Sequence, residues 1–227
     1  MQTVRYNMFN LIHKGLRAMC YQTAIKLQQA DFSDKKSATE VILQLETLLD
    51  YFTSHAHHED HLILPAVSAF APALADIFEN EHIKDEQIGQ QVADAIVSWK
   101  TATTSTEQVQ AGKQICYCFY DFVAFNLEHM NKEERLLNVA LWDNYSDQEL
   151  LVIQQKLLGT IPPAELMEQG RWIARGINAD EAVAWAAGIK KTALPAVQDQ
   201  FFKVLKEEIH PTQYVLIEQR LANPPSA

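Results

Sequence analysis

The sequence predicts an all-α protein, an up-down-up-down four-helix bundle with an additional C-terminal helical extension. Three observations predict it. Apolar residues recur at helical spacing over four long stretches of ~25–35 residues, and the short loops between them make neighbouring helices antiparallel. Glycine and proline are scarce, 7 and 8 in 227 residues, which argues against a turn-rich β fold. After Asn144 the helical rhythm continues in shorter pieces.

The first helix is expected from Thr3 to Ala30, ending in Asp31-Phe32-Ser33-Asp34. Ser37-Ala38-Thr39-Glu40 has the capping-box pattern that opens a second helix. That helix reaches about Pro65, whose missing N–H kinks or stops it there. Pro72 suits the first turn of a third helix, which runs to about Lys100. The loop Thr101–Glu107 carries another capping box, and a fourth helix continues to about Trp142. Ser146-Asp147-Gln148-Glu149 opens a shorter helix, which Ile161-Pro162-Pro163 breaks. Further helices follow from Ala164 to Arg175, Ala179 to Lys191, Leu194 to Glu208 and on to about Leu221, with Asn178 and Glu181 capping the second of these. The expected organisation is a bundle over residues 1–143 and an all-helical extension over 144–227, packed on the bundle or on a partner subunit through apolar surface such as Trp172 and Trp185.

A net charge of -10 and the lack of a basic patch argue against nucleic acid or an anionic membrane as a partner. Cys20, Cys116 and Cys118 do not make a disulfide framework, and the N-terminal residues lack an apolar signal core. No run approaches the ~18 apolar residues of a membrane span. The expected compartment is a reducing cytoplasm.

Two copies of the spacing His-x-x-x-Glu carry the chemistry: His55 with Glu59, and His129 with Glu133. Residues four apart lie one turn above each other on one helix face, so each pair can aim a ring nitrogen and a carboxylate oxygen at one point. At about 100° per residue, His55 shares its face with Val41, Leu48, Phe52, Glu59 and Leu62, whereas His57 and His61 fall with Glu46, Asp50 and Asp60. His129 is grouped in the same way with Ile115, Cys118, Phe122, Phe125, Glu133, Leu136 and Ala140. His13 on the first helix and His82 on the third also face inward, and Glu86 is read onto the face of His82. A lone inward histidine is ordinarily a hydrogen-bonded core residue, and His57, His58 and His61 read as a solvated face. Six inward groups, His13, His55, Glu59, His82, His129 and Glu133, are too great a burden for a core unless cations neutralise them. The order of His13 before His55 and His82 before His129 also suggests two related helix hairpins.

Four imidazoles and two carboxylates without a thiolate suit iron better than a structural zinc, which closes with four ligands; manganese is the other fit. Glutamates shared by two ions leave coordination positions open to dioxygen, nitric oxide or peroxide.

With these residues in place, the sequence resembles the hemerythrin-like (HHE cation-binding) family over about residues 1–142. His55-x-x-x-Glu59-Asp60-His61-Leu62-Ile63-Leu64-Pro65 is similar to that family's second-helix signature, and His129-x-x-x-Glu133-Glu134-x-x-Leu137 to its fourth. His13 and His82 stand where the family has its single helix histidines. The resemblance implies a non-haem di-iron centre, oxo- or hydroxo-bridged, with four terminal histidines and Glu59 and Glu133 as bridges; manganese and zinc are poorer fits. It implies a protein that binds or senses dioxygen, nitric oxide or iron. The alternative is an enzyme that turns over peroxide or nitric oxide or repairs iron centres. Oxygen carriers have a fifth histidine on the third helix, and Glu86 is read at that position, as a further ligand or a group behind the ligands. The C-terminal helices are candidates for a homo-oligomer contact.

Overall fold

Capping side chains and first-turn prolines mark where several of the helices begin. The computed structural model describes residues 5–223, and every regular element among them is helical. The elements are α1 (Asn10–Gln29), α2 (Lys35–His58), a π-helical turn (Glu59–Ile63), α3 (Leu64–Ser68), α4 (Pro72–Thr101), α5 (Ser105–Lys132), a second π-helical turn (Glu133–Leu137) and α6 (Asn138–Asn144). After them come α7 (Asp147–Leu158), α8 (Pro163–Gly176), α9 (Ala179–Thr192), α10 (Pro195–Glu208) and α11 (Pro211–Ala222). Thr104 with Glu107 and Asn178 with Glu181 form reciprocal capping boxes. Proline occupies the first turn of α4, α8, α10 and α11, where its missing N–H has no intrahelical partner in any case.

Two helix starts differ from expectation. Of the expected start at Thr3, Thr3 itself lies outside the described residues, and α1 begins only at Asn10. The segment before it is held by other bonds: Arg5 donates to Asp147 and to the carbonyls of Trp142 and Tyr145, and the Asn7 side chain accepts from the Phe9 N–H. At α2 the cap is Asp34, which accepts from the Lys36 N–H, and Ser37 lies inside the helix. Asp34 is as good a cap as serine and comes first along the chain. Glu40 bonds instead to Lys26 on α1.

The two π-helical turns start at the two motif glutamates. In each, the N–H five residues on, that of Leu64 or Asn138, bonds back to the carbonyl of Glu59 or Glu133. A π turn inserts one residue into the helical count. The inward face after each glutamate therefore shifts by one position. Ile63 and Leu64 are buried rather than Leu62, and Leu137 and Asn138 are buried while Leu136 is exposed. Beyond Pro65 the chain stays helical to Ser68. The proline does not cause the turn, since the second turn has none.

The chain divides into two compact units. The first holds the chain up to Phe9 together with Met19–Leu157. Within it, the ring of Phe78 lies against His129, Asp85 bonds Asn126, and Gly89 meets Phe122, so α4 and α5 run antiparallel. Phe52 packs on Phe122 and Glu59 lies near Glu133, so α2 and α5 run in the same direction. Met8, Phe9, Ile63, Leu64, Val67, Phe78, Leu137 and Leu141 form one end of the core, with Leu150 of α7 packed into it. Each such side chain contributes about 1.5–3 kcal/mol by leaving water. Gly112 of α5 abuts the Phe32 ring so closely that a Cβ has no room.

The second unit holds Asn10–Ala18 and Leu158–Ala227. Its core is Ala174, Ala182, Ala186, Phe201, Leu205, Ile209 and Ile217, with Trp185 edge-on to Phe201 at 4.6 Å. Lys14 of α1 pairs with Glu181 at 2.5 Å, and Gly176 leaves room for the Lys14 carbonyl. Among the described residues no helix is long and apolar enough to cross a membrane.

Candidate metal centre

The helical spacing of the two motifs brings each glutamate back under its own histidine. His55 Nε2 lies 3.2 Å from Glu59 Oε1, and His129 Nε2 lies 3.0 Å from Glu133 Oε1. The two motifs meet across the core, because His82 Nε2 is 3.4 Å from Glu59 Oε2 and 3.8 Å from Glu133 Oε1. Two groups of four result, each able to offer ligand atoms within 4.8 Å of one another. One is His13, His55, Glu59 and Glu133; the other is His82, His129, Glu59 and Glu133. Both glutamates belong to both groups.

The surroundings fit a cation. Glu59 is 1% exposed and Glu133 fully buried, yet neither oxygen of Glu59 makes a hydrogen bond, and nor does His82 Nε2. A buried carboxylate without a donor is costly, and one without a counter-charge more so. Oxygen and nitrogen atoms gathered at one point inside a core are what a divalent or trivalent ion needs.

The far sides of two rings are anchored. His82 Nδ1 bonds Asp60 Oδ1 at 2.6 Å, and His129 Nδ1 bonds Glu81 Oε2 at 2.8 Å. A hydrogen on Nδ1 donated to a carboxylate leaves Nε2 as the lone-pair nitrogen facing the site, the arrangement by which metal-binding histidines are oriented. Glu81 is itself held by Lys132 at 2.8 Å. The Phe125 ring stacks on His129 at 5.9 Å.

Without an ion the site retains protons. Burial and then the neighbouring Glu133 charge push the Glu59 carboxyl up to about 8. Burial opposes a charge on His82, but Glu133, Glu59 and Asp60 outweigh it and raise the ring to about 11. Burial likewise opposes the charge on His129, and Glu133 with Glu81 raises it to about 9. Burial raises Asp85, and the Asn126 hydrogen bond offsets this in part.

The helical phase separates the crowded histidines as the sequence has it: His55 faces the site, and His57 and His61 are exposed, their tilted rings 4.0 Å apart. Glu86 is a correction. It is exposed and belongs to neither group, and the inward carboxylate is Asp85. The buried stripe of α4 runs Ala75, Phe78, His82, Asp85, Val92, so its step after His82 is three residues rather than four. Asp60, Glu81, Asp85, Asn126 and Asn138 were not singled out by sequence pattern. Asp60 and Glu81 adjoin the motif residues Glu59 and His82 in the chain, but only the pairing of α2, α4 and α5 shows what they touch.

A model of the family described as the hemerythrin HHE cation binding domain matches residues 4–141. The chain belongs to that family. No curated protein and no solved structure matches it. The matched hemerythrin stretch contains all six grouped residues, so family and geometry agree on a metal-binding helical domain.

Proposed function

We propose that the chain is a non-haem di-iron protein of this family. Its four long helices form an up-down-up-down bundle around the centre, and residues 1–143 supply it, with the C-terminal extension as a separate helical appendage or oligomer contact. His13 and His55 hold one iron, His82 and His129 the other, and Glu59 and Glu133 bridge them. The observation that carries this is the sharing of both glutamates between two groups of four. Four protein groups leave positions open on six-coordinate iron. A redox-active pair with open positions supplies binding of a small ligand, so the centre binds or senses dioxygen or nitric oxide. The protein's own part is to exclude water, to orient the rings through Asp60 and Glu81, and to surrender the protons on Glu59, His82 and His129 on loading.

A second reading, turnover of peroxide or nitric oxide or repair of iron centres, is favoured by the buried acid Asp85 close to the centre. Iron reconstitution followed by elemental analysis and absorption spectroscopy tests the main reading. About two irons per chain with a near-ultraviolet charge-transfer band that shifts reversibly with gas are expected. A single tightly held zinc overturns it, and sustained turnover with an electron donor selects the second reading.

A further inference from the structure

Both glutamates reach the centre from one end of the bundle, and a different pair of residues stands at the other end. Because α2 and α5 run the same way, Glu59 and Glu133, each one turn beyond its histidine, approach from the same end of the bundle. Because α4 runs against α5, one turn beyond His82 and one turn before His129 lie together at the other end. There stand Asp85 and Asn126, joined by a hydrogen bond from Asn126 Nδ2 to Asp85 Oδ1 at 2.5 Å.

This pair is buried, at 7% and 1% exposure. Asn126 also donates to the Phe122 carbonyl at 3.1 Å, so both of its amide hydrogens are used. Among the described residues Asp85 accepts only from Asn126, through one oxygen, and its second oxygen is not sealed in the core. A carboxyl set in a core against one neutral amide costs stability that an apolar pair would not. Asp85 is one turn beyond His82 on α4 and bonds Asn126, one turn before His129 on α5, so it lies beside the two ligand rings although it is outside both ligand groups. Its second oxygen is an acceptor when ionised and a donor when protonated.

We propose that Asp85, held in place by Asn126, is the hydrogen-bonding partner of the small ligand that the centre takes up. The protonated carboxyl donates to a ligand atom that accepts a hydrogen bond, and azide is a probe of that contact. This rests on the di-iron reading above and adds the residue pair that receives the ligand.

The test is azide titration of the full-length, iron-loaded protein, followed by the azide-to-iron absorption band, with iron content measured for every variant. Asp85→Leu is expected to keep its iron and bind azide roughly ten-fold or more weakly, the worth of one hydrogen bond to a charged group. Asp85→Asn retains a donor of the same shape and is expected to stay within about three-fold of the parent. Asp85→Ala gives the same comparison if the leucine variant does not fold. Unchanged azide binding in the leucine or alanine variant overturns the inference, as does loss of iron in all three. A parent protein that takes up no metal pair overturns the di-iron reading itself, and is told apart by its iron content.

Discussion

The stretch from α2 through its π turn to α3 and the stretch from α5 through its π turn to α6 are built alike at the centre and differently one layer out. Both place a glutamate oxygen 3.0–3.2 Å from its own histidine and follow with a widened turn. Beyond that they diverge. Five residues after the glutamate, the first has buried Leu64 and the second buried Asn138, whose amide makes no hydrogen bond. Asp60, beside Glu59 in the first stretch, supports His82 from a side chain 36% exposed, without a cation. His129 of the second stretch is supported by Glu81 of α4, 18% exposed and paired with Lys132. The common part is what two ions would share. The differing part reaches only the second group of four, because both supported rings, His82 and His129, belong to it.

The largest expected effect tests the common part. Glu59→Ala and Glu133→Ala should each abolish binding of both ions, since each carboxylate serves both groups, whereas His55→Ala should affect mainly one and His57→Ala neither. Metal content per chain measures this, and unequal loss between the two glutamate variants would break the symmetry of the comparison.

The protonation of the centre gives the next effect. Glu59, His82 and His129 all have values raised above those of the unfolded chain, 4.5 for the glutamate and 6.5 for the histidines. The folded metal-free protein therefore holds protons that the unfolded chain has released, and its stability must fall as pH rises. For Glu59 the loss runs from about pH 4.5 to about 8, and for His129 from 6.5 to about 9. Metal uptake expels those protons, so affinity for iron should rise over the same range. Calorimetric melting at several pH values, with and without iron, should show metal-free stability falling with pH and the gain from iron growing. A metal-free protein that becomes more stable between pH 5 and 9 would contradict these protonation states.

Smaller effects sharpen the outer layer. Asp60→Asn and Glu81→Gln should each weaken metal binding by roughly 10–100-fold, as loss of a carboxylate behind a metal-binding histidine does. Glu81→Gln should cost more, because Lys132 then loses the carboxylate it shares with His129, and chelator competition measures both. Asn138→Leu makes the second stretch like the first and should stabilise the metal-free protein by ~1–3 kcal/mol, the cost of an unsatisfied buried amide. Unchanged or lowered melting would mean that the amide has a bonding partner.

Much of this arrangement is legible in sequence where one helix suffices to decide it. Helical phase alone separates His55 from His57 and His61, and turn chemistry places α8 to α11 within a residue or two. Reading fails where the helix is not an ideal one. The π turns move the buried positions from Leu62 and Leu136 to Ile63 and Leu137, and no residue pattern announces them. A four-residue step from His82 points to Glu86, whereas α4 takes a three-residue step there and buries Asp85. The partners of His82 and His129 are fixed only when α2, α4 and α5 pack.

Anomalous diffraction from crystals of the iron-loaded protein tests the central claim most directly. Two iron peaks are predicted per chain, with Glu59 and Glu133 each contacting both, His13 and His55 on one, and His82 and His129 on the other. A single peak, or two peaks that share no glutamate, would contradict it.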